Sequence, residues 1–217
     1  MIGRFWKSAA GALALVVATG AFAHDGEVHE DKSEALRHLS EAPLDGATLP
    51  FPADLGGAFE LTDQSGARRT EADPDGRLQL VFFGYAQCQA ICTVALPRMA
   101  EITDIAAEAG LAVRPVLITV DPARDTPEGM VAPLAELHPE MVGLTGSEDE
   151  LKAVRDLFQI ERKLVFEDPE YGPIYAHGSF IYLMNPAGEL LTLIPPIISP
   201  DRGAEIVAKY AGDIQSN

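Results

Sequence analysis

The chain's two cysteines, Cys88 and Cys92, stand four residues apart in GYAQCQAIC (84–92). They follow LQLVFFG (78–84), an apolar run with the character of a strand buried on both faces. A structural disulfide, a redox pair and a metal site would each use such a pair differently. Cys88 is expected in the loop leaving this strand, and Cys92 in the first turn of the next helix. There the unpaired N–H groups and the helix dipole favour a thiolate. Three intervening residues let both sulfurs point outward at one centre without forbidding a disulfide. Thiolates suit Cu(I) or borderline Zn(II). Two ligands seldom complete a site, so a third is sought among the five histidines. His38 falls near the N-terminus, and His138 ends a predicted helix and reads as a surface residue. His177 immediately precedes the apolar run SFIYLM (179–184). It reads either as a third ligand or as a histidine that merely caps a strand.

The elements that must position these residues follow from patterning. GAFELTDQSGARRT (57–70) alternates and turns at Asp63–Gly66, a small hairpin. A helix is expected from about Ile91 to Glu108, with Pro97 inside it to kink it. AVRPVLITVD (112–121) reads as a second buried strand. TPEGMVAPLAELHP (126–139) reads as a helix with Pro127 in its first turn. MVGLTG (141–146) is a short strand, and SEDELKAVRDLFQI (147–160) a helix opened by a Ser147–Glu150 capping box. GSFIYLMNPAGELLTLI (178–194) gives two strands about a turn at Asn185–Gly188. The last helix has Ser199 as N-cap, Pro200 at N1 and Gly212 as its C-terminal stop. Parallel crossovers followed by an antiparallel pair predict an α/β fold with a mixed central sheet flanked by helices. With cysteines at the first strand-to-helix junction, the thioredoxin-like fold is the economical expectation, and Pro97, five residues beyond the second cysteine, agrees with it. In such a fold the loop before strand 179–184 faces the cysteine-bearing tip, so His177 can complete a Cys2His set.

Arg4 and Lys7 precede SAAGALALVVATGAFA (8–23), which ends small-x-small at Ala21–Phe22–Ala23. The run is short beside the roughly 20 residues of a membrane span. The expected division is a signal peptide (or, if retained, an N-terminal anchor) at 1–23, a flexible acidic leader at 24–50, and the thioredoxin-like domain at 51–217. The 217 residues include 33 acidic and 16 basic side chains, a net charge of −17. That excludes nucleic acid as a partner and charge-driven binding to anionic lipid. Membrane contact is expected only if the N-terminal segment stays attached. Export implies the periplasm, an oxidising compartment in which a disulfide, a redox centre or a protected metal site can persist. Cleavage after Ala23 would give His24 a free α-amine able to chelate Cu(II), with His29 nearby. The plainer reading of that stretch is a solvated tether.

LVFFGYAQCQAIC (80–92), ITVDPARDTPE (118–128), GLTGS (143–147) and YAHGSFIYLMNPAGE (175–189), in that order, resemble the Sco/SenC family of copper proteins. That family helps assemble the CuA centre of cytochrome c oxidase on a thioredoxin-like fold. The likeness covers about residues 55–212. It implies copper, as Cu(I) or Cu(II), held by Cys88, Cys92 and His177. It implies as partner the oxidase subunit bearing CuA or another copper client, with other periplasmic copper chaperones or thiol oxidoreductases nearby. Gln89 stands where the family usually has proline, and Ala90 and Ala176 stand where it usually has acids. These departures alter loop stiffness and the field at the site but keep all three ligands.

Two functions compete. A copper metallochaperone needs His177. A thiol–disulfide oxidoreductase that reduces a client's cysteines needs only Cys88 and Cys92 as its redox pair. A peroxidase is disfavoured, since no residue is clearly placed to activate peroxide. Asp121 ends a strand beside the cysteine strand and is expected to support the site from behind. Arg124 and Asp125 read as local loop structure.

Overall fold

The computed structural model describes residues 55–86 and 92–215. The hairpin near its start is β1 (Glu60–Asp63) and β2 (Arg68–Thr70). Its turn closes because the Asp63 carboxylate accepts from the Ser65 and Ala67 amides, at 2.9 and 3.0 Å, while Gly66 takes a φ of +83°. The alternating βα units follow: β3 (Leu78–Gly84), α1 (Cys92–Glu108), β4 (Val113–Thr119), α2 (Pro127–Leu137), β5 (Val142–Thr145) and α3 (Glu148–Leu157). All residues of β3, β4 and β5 are buried, as a parallel strand covered on both faces requires. Then come β6 (Lys163–Asp168), β7 (Gly172–Ala176), β8 (Ile181–Met184), β9 (Leu190–Ile194) and α4 (Pro200–Gln215).

The main sheet runs in the order β2-β1-β5-β4-β3-β8-β9. β3, β4 and β5 are parallel, while β1 and β8 join them antiparallel. This mixed sheet flanked by helices is the thioredoxin-like arrangement expected from the element order. Two of the expected helix starts are seen in detail. The Thr126 hydroxyl accepts from the Gly129 amide, and Ser147 and Glu150 form the reciprocal capping box. Pro97 lies inside α1, as anticipated.

Two readings and one omission need correction. Gly212 does not stop α4, which continues to Gln215. A glycine stop needs a left-handed backbone, and Gly212 is not among the positive-φ glycines. His138 is not a surface residue but is 8% exposed. Its Nδ1 accepts from the Glu140 amide, and its Nε2 lies 3.3 Å from Asp104. The third concerns 163–176, which carried no sequence assignment and forms the separate two-stranded sheet β6–β7. The expected signal peptide and leader, with His24, His29 and His38, lie outside the described residues. Among the described residues, no helix is long and apolar enough to cross a membrane.

Candidate metal centre

β3 delivers Tyr85 and Ala86 to the carboxyl end of the parallel strands, the usual place for a site in an α/β sheet. Cys88 lies outside the described residues. Cys92 is the first residue of α1, whose first turn contains no acidic side chain to oppose a thiolate there.

His177 arrives from the other side. β8 pairs antiparallel with β3, with Tyr182 opposite Val81 and Leu183 opposite Leu80. The residues just before β8 therefore lie beside the residues just after β3. The His177 ring meets Phe82 edge-on at 5.7 Å between centroids and Tyr85 at 5.9 Å. Its Nδ1 is 2.8 Å from the Gly178 carbonyl oxygen. A carbonyl only accepts, so Nδ1 carries the proton. In the neutral ring the lone pair is then on Nε2, the state a metal-binding imidazole needs. Aromatic packing and a fixed tautomer give this histidine a defined orientation.

The segment after β4 supports both sides. Asp121, 1% exposed, pairs with Arg124 Nε. Arg124 Nη1 donates to the Tyr171 carbonyl and Nη2 to the Pro173 carbonyl, the latter at 2.7 Å. Its guanidinium carbon is 4.7 Å from the centre of the Tyr85 ring. Burial works against the Arg124 charge, but the Asp121 carboxylate and Tyr85 together outweigh it and push the guanidinium upward. Asp125, also buried, accepts from the Ala86 amide at 2.9 Å and the Thr119 hydroxyl at 2.7 Å. Burial pushes its carboxyl upward, against these two hydrogen bonds.

Arg124 and Asp125 are therefore not local loop structure, contrary to the sequence reading. Each reaches a distant segment that borders the site. They stand five and six residues past the end of β4, and their distant partners, 39 to 49 positions away, leave no local signal in the sequence. Among the described residues, no three His, Cys, Asp or Glu side chains are grouped to hold a metal. Of the expected set, the geometry fixes the His177 ring and the backbone start of α1 at Cys92.

Residues 47–212 match the profile of the SCO1/SenC family. The chain belongs to that family. Among SCO1/SenC relatives it is 39% identical over 156 residues to the SCO2-like protein of Rickettsia felis, covering 70% of this chain and 75% of that one. It is 36% identical over 203 residues to Protein sco1 of Schizosaccharomyces pombe, covering 91% and 74%. The crystal structure of Arabidopsis thaliana ScoI with copper bound is similar with a TM-score of 0.68 and 30% identity, over 73% of this chain and 99% of that one.

Proposed function

We propose that this chain is a copper carrier that loads the CuA site of cytochrome c oxidase, with Cys88, Cys92 and His177 holding one copper ion as cargo. The observation that carries the reading is His177. Its ring packs on Tyr85, three residues before Cys88, and its Nδ1 proton is committed to Gly178, so Nε2 is the ligand nitrogen. The copper bound to the related Arabidopsis protein supports the choice of metal. The donor set fits it too: two thiolates suit Cu(I), and the imidazole adds a ligand that Cu(II) favours. Copper held by two thiolates and one imidazole can leave by ligand exchange with a client. Periplasmic location, after removal of residues 1–23, belongs to the same proposal.

Cys92 at the start of a helix with no acid in its first turn also favours the second reading, a thiol–disulfide reductase acting on a client's cysteines. His177 separates the two. In anaerobic titration the reduced protein should bind one copper, and its oxidised adduct should show sulfur-to-Cu(II) charge-transfer absorption. Cys88→Ser or Cys92→Ser should abolish that band. His177→Ala should weaken Cu(II) binding and CuA metallation while leaving reduction of a model disulfide intact. If His177→Ala metallates the oxidase normally while Cys88→Ser does not, the reductase reading takes over.

A further inference from the structure

The β6–β7 hairpin leads directly into His177 but belongs to a sheet of its own. Among the described residues, no strand ladder joins it to the main sheet, so side chains must fix its position. β7 ends at Ala176, and whatever holds β7 also fixes the imidazole one residue later.

We propose that Arg124 is a positioning residue that clamps this hairpin to the end of β3 and thereby sets the His177 ligand against the approach to the cysteines. One guanidinium makes every connection required. Its two terminal nitrogens bond the carbonyls of Tyr171 and Pro173, six and four residues before His177. Its face lies over Tyr85, whose ring contacts both His177 and, at 6.5 Å, Tyr175 of β7. Its Nε is held from behind by Asp121, anchored at the end of β4. The hairpin, the end of β3 and the end of β4 therefore converge on one planar group. Lysine at this position would keep the charge but not the fork. A single ammonium does not match a carboxylate, two carbonyls and a ring face at once. Arg162, whose guanidinium carbon is 3.9 Å from the Tyr175 ring centre, also packs on the hairpin.

The inference rests on the copper-carrier reading, and its test separates the two. The decisive variant is Arg124→Lys. Its control is Arg114→Lys, which disturbs a more deeply buried ion pair, with Asp73, near the opposite end of β4. In the metal-free protein, Arg124→Lys should speed amide hydrogen exchange across 172–178 by about tenfold or more, leaving β8 at its wild-type rate. Arg114→Lys should leave 172–178 unchanged. On loading, Arg124→Lys should weaken Cu(II) by roughly ten- to a hundredfold and change the nitrogen hyperfine coupling, with Cu(I) binding near wild type. Wild-type exchange at 172–178 would overturn the proposal. So would an equal effect in Arg114→Lys, or faster exchange with unaltered Cu(II) binding, which would leave Arg124 a purely structural part. If His177→Ala binds Cu(II) as wild type does, the copper-carrier reading fails instead, and the metal-free exchange still decides whether Arg124 holds the hairpin.

Discussion

Oδ2 of Asp125 accepts two hydrogen bonds, one from the backbone that leads into the cysteines and one from Thr119. Asp125→Ala would leave a part-buried amide and a buried hydroxyl without their acceptor, which costs about 1–3 kcal/mol. Urea unfolding should record a loss of that size, with Asp125→Asn losing less. The same carboxyl has a signature in pH. Its folded-state value lies above 3.8, raised by burial, so the native state binds this proton more tightly than the unfolded chain. Its contribution to stability therefore falls as pH rises from 3.8 through the folded value. An NMR titration of Asp125 with its midpoint at or below 3.8 would contradict this. Cys88, Cys92 and His177 were legible as candidates because residue type and spacing carry the chemistry. Arg124 and Asp125 were not, because their work is done across the fold. Asp125 bonds an amide 39 positions upstream and Arg124 a carbonyl 47 positions downstream. No local pattern encodes such partners.

α3 shows the opposite case, an element whose start is written within four residues. Ser147→Ala should cost about 1 kcal/mol by removing the cap. Glu150 reports the cap directly. The Ser147 amide and hydroxyl, aided by Arg68, hold its carboxyl down at about 2 against an ordinary 4.5. This stabilisation is present above 4.5 and is lost as pH falls through about 2. In Ser147→Ala the residue-147 amide and Arg68 remain, so Glu150 should titrate only part of the way back toward 4.5, and an unchanged midpoint would mean that those two donors suffice without the hydroxyl. The β6–β7 hairpin escaped sequence reading for a physical reason. Leu164, Val165 and Phe166 are consecutive and 47%, 59% and 52% exposed, so no alternation of buried and exposed residues marks the strand. A register shift between Leu164 and Phe166 breaks the period further, and Pro173 argues against a strand until β7 is seen in a two-stranded sheet.

At the scale of the molecule, the order of strands and helices was enough to anticipate the thioredoxin-like fold, because buried parallel strands impose helical crossovers. How closely the layers approach was not legible. α4 lies so near α1 that a Cβ on Gly203 would overlap the Ile102 side chain. Gly203→Ala should lower the urea midpoint by an amount equivalent to about 1–3 kcal/mol, with little change in denaturant dependence. The outer strand β9 has a different consequence, for solutions rather than for single molecules. Its sequence, LLTLI, contains no proline and no charge, and among the described residues its only sheet partner is β8. Such an edge is a template on which a second molecule can pair. The net charge of −17 opposes that encounter by mutual repulsion, which disappears near an isoelectric point of about 4.5. Light scattering should therefore rise sharply as the protein is titrated toward pH 4.5. Thr192→Lys, which places a charge in the middle of the edge, should suppress the rise. Equal scattering from the variant would show that self-association uses some other surface.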